Sequence, residues 1–208
     1  MSAVPRPAEP IRLCCATSNP GKVREFRLAA EEPGLPHPVE IEILEGYRDL
    51  PPCLEDGATF AENARIKAAH YSRYHAGLLF ADDSGLVVEA LGGAPGVYSA
   101  RYSGPHATDE SNNRLLLERM RGIKERSARF VCAIALARQG AVIGVYTGSV
   151  SGVILRQPRG AGGFGYDPLF LYGPFGQTFG ELDDTRKFAV SHRGQALRRM
   201  VRELGKPE

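Results

Sequence analysis

At 208 residues, 43% of them hydrophobic and 24% charged, the chain has the composition of an ordinary globular protein, long enough to build a core without disulfides. A formal net charge of +2 is too balanced to mark a nucleic-acid or membrane-surface binder, and no apolar stretch approaches the roughly 20 residues that cross a bilayer. The four cysteines, Cys14, Cys15, Cys53 and Cys132, form no CxxC pair, so reduced and mostly buried thiols in a cytoplasmic protein are expected, with zinc binding a poor second.

Residues 1–10, with three prolines and no apolar core, read as a disordered tail, leaving 11–208 as one domain. Ile11 to Ala16 is a short apolar run, as expected of a buried first strand. Thr17-Ser18-Asn19-Pro20-Gly21-Lys22 follows, and then Val23, Phe26 and Ala30 recur at helical spacing, with Asn19 as N-cap and Pro20 at the first helical position. A strand, a polar loop and a helix start in that order expose free backbone N–H groups and a positive dipole end to an anion, and Lys22 adds a charge. A P-loop is excluded, since it requires glycine at position 16 and Ser or Thr at position 23, where Ala16 and Val23 stand.

Val39 to Leu44 alternates as a half-buried strand. Thr59-Phe60-Ala61-Glu62 fits a capping box opening a helix to about Tyr74, on which Asn63 and Lys67 share one face. Glu55, just before it, is a loop carboxylate, either a ligand or a surface group. The run Leu78 to Ala81 predicts a buried strand end that hands Asp82 and Asp83 to a Ser84-Gly85 turn, the two carboxylates facing opposite ways.

Ala107 to Gly122 reads as a helix with Leu116, Leu117 and Met120 inward. Arg129 to Ala137 and Val142 to Leu155 form a predicted hairpin turning at Gln139-Gly140. The glycine-dense stretch from Gly160 to Pro168 permits close backbone approach to a ligand; within it Phe164 is either a stacking surface for a flat ring or a plug for the core. Lys187 precedes a C-terminal amphipathic helix capped by Ser191 and marked by Leu197, Met200, Val201 and Leu204. That places His192 and Arg193 in its first turn, where cations oppose the helix dipole.

Six motifs, TSNPGK, FAENARIKA, ADDSGL, GAPGVYSARYSG, GGFGYDPLF and KFAVSHRGQAL, in this order from Thr17 to Leu197, closely resemble the inosine triphosphate pyrophosphatase family. The resemblance implies an elongated mixed α/β fold, a sheet flanked by helices in two lobes with a central cleft, and a homodimer. It implies hydrolysis of ITP, dITP and XTP to the monophosphate and pyrophosphate, with Mg2+ as cofactor. By the same resemblance, Thr17, Ser18, Asn19, Pro20, Gly21 and Lys22 bind phosphate, Lys67 faces the triphosphate, and Glu55 and Asp83 hold the metal. Asp83 is also the proton acceptor, with Ser84 beside the substrate. Phe164, Gly165, Tyr166, Asp167, Lys187, His192 and Arg193 correspond to the elements that recognise the base.

Competing readings are a pyrimidine-directed pyrophosphatase of the Maf type, a non-catalytic nucleotide sensor, and a nucleic-acid binder built on Arg198, Arg199 and Arg202. A serine hydrolase at Ser84 is disfavoured, because GxSxG needs glycine where Asp82 stands.

Overall fold

The computed structural model describes residues 9–31, 35 and 37–206, so the predicted N-terminal tail lies almost wholly outside the described residues. Chain order is β1 (Ile11–Cys15), α1 (Pro20–Ala30), β2 (Val39–Ile43), α2 (Phe60–Tyr71), β3 (Leu79–Val88), α3 (Asp109–Arg119), β4 (Ser127–Arg138) and β5 (Ala141–Ile154). It continues through the short strands β6 (Phe170–Tyr172) and β7 (Gln177–Thr178) to α4 (Asp184–Val190) and α5 (His192–Leu204). The strands form one seven-stranded mixed sheet in the order β2-β1-β3-β4-β5-β6-β7. Strand β1 runs parallel to β2 and β3, and the other pairings are antiparallel.

Local chemistry sets most boundaries. Thr59 caps α2 reciprocally with Glu62, its Oγ1 accepting from the Glu62 N–H while Oε2 of Glu62 accepts from the Thr59 N–H. Ser191 caps α5 from one side only, its Oγ accepting from the Gly194 N–H at 3.1 Å. The β4–β5 turn holds Gln139 at φ 49° and Gly140 at φ 86°, the left-handed pair that a two-residue hairpin requires.

The expectation that the third strand ends at Ala81 is overturned. Strand β3 runs straight through Asp82, Asp83, Ser84 and Gly85, paired with β4 from Leu79↔Ala137 to Val88↔Ala128. The ladder pairs one edge of this stretch and side chains serve the other, Lys67 donating to the Asp82 carbonyl and Oδ1 of Asp83 accepting the Ser84 N–H, so tertiary contacts override local turn chemistry. Gly85 is glycine for another reason: a Cβ there would lie 2.2 Å from the hydroxyl of Ser99, which accepts the Leu86 N–H at 2.9 Å.

Alternation along β3 sorts its side chains between two cores. Phe80 packs with Leu13, Phe26, Ile134, Leu136, Leu197, Met200 and Val201 beneath α1 and α5, while Leu79 and Ala81 pack with Ala64, Ala68 and Tyr71 of α2 on the opposite face. A third core, around Leu86, Phe130, Ile154, Phe170 and Phe179, fills the other end of β3, β4 and β5. Each fully buried Leu or Phe contributes about 1.5–3 kcal/mol. The long strands thus join two packed ends.

Between those ends the sheet opens. Strand β1 pairs with β3 only at Cys14↔Leu79 and Cys15↔Phe80, and the last bond is from the Ala16 N–H to the Phe80 carbonyl at 2.9 Å. The chain then swings away into Thr17–Asn19 and α1. Among the described residues no strand borders β3 on that edge again until the Val87–Pro95 bridge. A gap at the carboxyl end of a parallel strand, next to a change of strand direction, is where open α/β sheets take their ligands.

Candidate active site

Several elements deliver side chains into this gap. Asn19 accepts the Lys22 N–H at 3.1 Å, closing the first turn of α1 as its sequence implies. Lys22 then reaches Asp82, Nζ to Oδ2 at 2.8 Å. Lys67, on the inner face of α2, donates to the Asp82 carbonyl at 3.0 Å and lies 3.5 Å from Oε2 of Glu55. Its α2 neighbour Asn63 donates to Oδ2 of Asp83 at 3.1 Å while accepting the Gly57 N–H, which ties the Glu55 loop to the same point. The face of α2 that carries Asn63 and Lys67 is buried, with Lys67 only 8% exposed.

The two adjacent carboxylates have opposite environments, as strand alternation demands. Asp82 faces α1 and α5 and is 1% exposed; besides Lys22 it accepts from Ser84 Oγ at 3.0 Å and lies 3.8 Å from Arg193 Nε. Burial opposes its ionisation, but Lys22, Arg193 and Lys67 together hold its carboxyl below the usual range. Asp83 faces α2 and the gap. Burial pushes it upward, and Lys22 and Asn63 only partly offset that. A carboxylate raised by desolvation and aimed into a cleft is suited to accept a proton.

On the other wall, Arg193 in the first turn of α5 bonds Glu25 at 2.8 Å and Ser84 Oγ at 2.7 Å. Glu25 also pairs with Lys187 at 2.6 Å, and Lys187 with Asp167 at 2.5 Å. These carboxylates offset the cost of a cation at a helix N-terminus. Burial disfavours charge on Lys187, yet Asp167 and Glu25 keep it protonated, with its pKa above the ordinary lysine value. Lys187 therefore sits behind the cleft wall and organises Glu25 and Asp167.

His192 stacks on Phe130 with ring centroids 4.9 Å apart, and neither ring nitrogen has a hydrogen-bond partner among the described residues. Burial first, then the charges of Arg193, Lys187 and Lys22, depress its pKa well below the ordinary value, so the ring is neutral.

The glycine-dense loop arrives last. Phe164 donates its N–H to Asp167 at 2.8 Å, and Lys187 Nζ and Arg193 Cζ lie 4.9 and 5.0 Å from its ring centroid. Its ring presses on Gly21, where a Cβ would come within 2.6 Å. Residues of α3 hold the loop: Asp109 accepts the Gly165 N–H at 2.6 Å and Asn113 donates to the Gly165 carbonyl at 2.8 Å. Tyr166 is buried and donates to the Ser99 carbonyl.

The resulting cleft has a volume of about 230 Å³ and is lined by Asn19, Lys22, Glu55, Lys67, Asp83, Ser84, Phe164 to Asp167, His192 and Arg193, among others. Most residues singled out from sequence therefore converge. Thr17, Ser18 and Pro20 border instead a larger hollow of about 740 Å³ on the far side of α1, which none of the acidic cleft residues lines. Gly21 meets the Phe164 ring, and Lys187 lies behind the lining. Glu55 and Asp83 bring hard oxygen donors to one cleft, a donor set that fits a magnesium ion keeping several waters and phosphate oxygens.

Glu25, Asp109 and Asn113 are absent from the sequence reading. Glu25 looks like any polar residue of an amphipathic helix, and its partners lie far along the chain. Asn63 was signalled by its four-residue spacing from Lys67.

Comparison with known proteins gives one consistent result. The model of the Ham1 family matches residues 13–203. A dITP/XTP pyrophosphatase of Geobacter sulfurreducens is 50% identical over 196 residues, covering 93% of this chain and 96% of that protein. One of Exiguobacterium sp. is 47% identical over 194 residues, covering 93% and 97%. Among solved structures, the Ham1 protein of Staphylococcus aureus superposes with a TM-score of 0.80 at 33% identity, covering 93% of this chain and 97% of that one. The HAM1 protein of Coxiella burnetii gives 0.80 at 37% identity, with 93% and 98% covered.

Proposed function

The chain belongs to the Ham1 family, and from that membership we propose that it is a nucleoside triphosphate pyrophosphohydrolase acting on non-standard purine nucleotides, ITP, dITP and XTP. Its product would be the monophosphate and pyrophosphate, clearing such nucleotides from the pool. The observation that carries the reading is the convergence of Lys22, Lys67, Asp83 and Arg193, from four separate elements, on one cleft.

Hydrolysis at the α-phosphorus gains mostly from charge neutralisation and alignment. The first turn of α1 with Lys22 on one side and Lys67 on the other supplies positive charge to the triphosphate. Asp83 accepts the proton of the attacking water, and its raised pKa supports that role. Asp82 is unsuited to it, since its Oδ2 is already held by Lys22 and Ser84. Glu55 and Asp83 would hold magnesium, which when bound neutralises phosphate charge and draws electron density from the bond to be broken.

Base choice rests on hydrogen bonds. Hypoxanthine and xanthine carry an acceptor oxygen at position 6 where adenine carries a donor amino group. Two cleft-facing groups suit that oxygen: the unpartnered, neutral His192 ring, and Arg193. Phe164 offers the aromatic surface, and Lys187 acts indirectly through Asp167 and Glu25. Leaving buried donors unpaired against adenine discriminates by as much as about 10⁴-fold.

The cleft, at about 230 Å³, is smaller than the roughly 300–1,000 Å³ usual for ligand pockets, so admitting a nucleotide would require its walls to part. We take residues 11–208 to be one two-lobed catalytic unit acting as a homodimer, on the family resemblance. Its four free thiols fit the reducing cytoplasm where nucleotide pools lie. The deciding experiment is a nucleotide panel assayed for pyrophosphate release with and without magnesium. ITP, dITP and XTP should turn over at least a hundredfold faster than ATP, dTTP and UTP. Preference for dTTP or UTP supports the Maf-type alternative, and tight ITP binding without release supports a sensor.

A further inference from the structure

We propose that Cys14, Glu42 and His75 form a site for one zinc-class divalent ion, away from the catalytic cleft and sharing no residue with its lining. Cys14 and Glu42 are register partners across the parallel β1–β2 pair, so their side chains leave the same face of the sheet side by side. His75 ends the short 3-10 turn Ser72–Tyr74 that follows α2. Its Nε2 lies 3.8 Å from Oε1 of Glu42. One donor from each residue, a thiol sulfur, a carboxylate oxygen and a ring nitrogen, falls within 4.8 Å of the other two. The ring lies directly over Gly77, where a Cβ would stand 2.9 Å from Nε2.

The donor set selects the ion. One sulfur, one nitrogen and one oxygen are what zinc takes in tetrahedral sites, with bonds of about 2.3, 2.0 and 2.1 Å, leaving a fourth position for water. Magnesium, which demands six oxygens in near-octahedral array, is not served here. Those bond lengths put donors roughly 3.3–3.6 Å apart, so the present trio must close by about an ångström. Glu42 and His75, with side chains 66% and 25% exposed, have the freedom to do so, while Cys14 is fixed in the buried strand.

Burial, aided by Glu42, raises the Cys14 thiol to about 12, so the free thiol is protonated and metal binding releases that proton to solvent. The bound ion would tie the sheet's edge strand β2 to β1 and to the segment joining α2 to β3. It would stabilise the N-terminal end of the sheet without entering the reaction.

Cobalt(II), added to the full-length metal-free protein, is the probe, because a thiolate ligand gives it an intense near-ultraviolet charge-transfer band that oxygen ligands in the catalytic cleft do not. The wild type should show this band at one equivalent, and zinc should displace it. Cys14→Ser should abolish it, His75→Ala and Glu42→Gln should weaken cobalt affinity at least tenfold, and Cys53→Ser, which alters the thiol near Glu55, should leave it intact. His75→Ala should keep full magnesium-dependent pyrophosphate release. No band in the wild type, a band lost in Cys53→Ser, or unchanged affinity in both His75→Ala and Glu42→Gln overturns the proposal. The last comparison decides even if Cys14→Ser fails to fold.

Discussion

Asp82 and Asp83 are neighbours in sequence, and their isosteric amides should fail in opposite ways. Asp82→Asn removes the only negative charge on a side chain that is 1% exposed, 2.8 Å from Lys22 and 3.8 Å from Arg193. Deleting one partner of a buried ion pair costs about 3–5 kcal/mol because the remaining charge is left uncompensated. For a chain of this size that lowers Tm by roughly 6–20 °C. Asp83→Asn keeps one acceptor oxygen, so either Asn63 or the Ser84 N–H loses its bond, but it also relieves a carboxylate whose ionisation burial opposes, and the two effects offset each other. Its stability should stay within about 1 kcal/mol of wild type, with Tm unchanged or slightly raised, while kcat falls by about 10²- to 10⁴-fold. Urea titrations and pyrophosphate release at saturating magnesium measure both quantities on the same preparations. If Asp82→Asn melts within two degrees of wild type, or Asp83→Asn keeps turnover within a few-fold, the division of labour along β3 is wrong.

The depressed carboxyls of Asp82 and Glu25 predict an acid limb: their stabilisation is full above the unfolded carboxylate pKa of about 4 and is lost as pH falls below it towards their folded values, so Glu25→Gln should flatten stability against pH in that window. Asp83 has the opposite sign, its raised folded pKa making the ionised form destabilising as pH rises through it. Gly21→Ala should drive the Phe164 ring off the first turn of α1, where its Cβ would come within 2.6 Å, and reduce kcat/KM for ITP by about tenfold, or 1.4 kcal/mol. Arg126, buried beyond α3, donates to the carbonyls of Met120, Ile123, Ile154 and Leu155. Arg126→Met should cost about 3 kcal/mol in urea unfolding and leave KM unchanged.

What was legible in the sequence is what short-range chemistry determines. The capping box at Thr59, the helix start at Asn19 and Pro20, the hairpin at Gln139-Gly140 and the Ser191 cap all lie where local residue preferences put them. The continuation of β3 was not legible, since Ser84-Gly85 carries genuine turn chemistry and only the β4 ladder, with the approach of Ser99, contradicts it. Strands β6 and β7 and helix α4 are too short for periodicity to register. Glu25 illustrates the deeper limit: its meaning comes from Arg193, which follows it by 168 residues, and no spacing rule spans that distance.

Asp82 has one more consequence, for the end of the catalytic cycle. Fixed to a strand, it is an anion that never diffuses away, so if Lys22 grips the triphosphate as proposed, that cation has a partner to return to when the nucleotide leaves. On that proposal, pyrophosphate departing the site would face a tethered competitor at an effective concentration in the millimolar range or above. Rebinding is thereby discouraged, and inhibition by added pyrophosphate should be tighter in Asp82→Asn, assayed below its melting range, than in the unaltered protein.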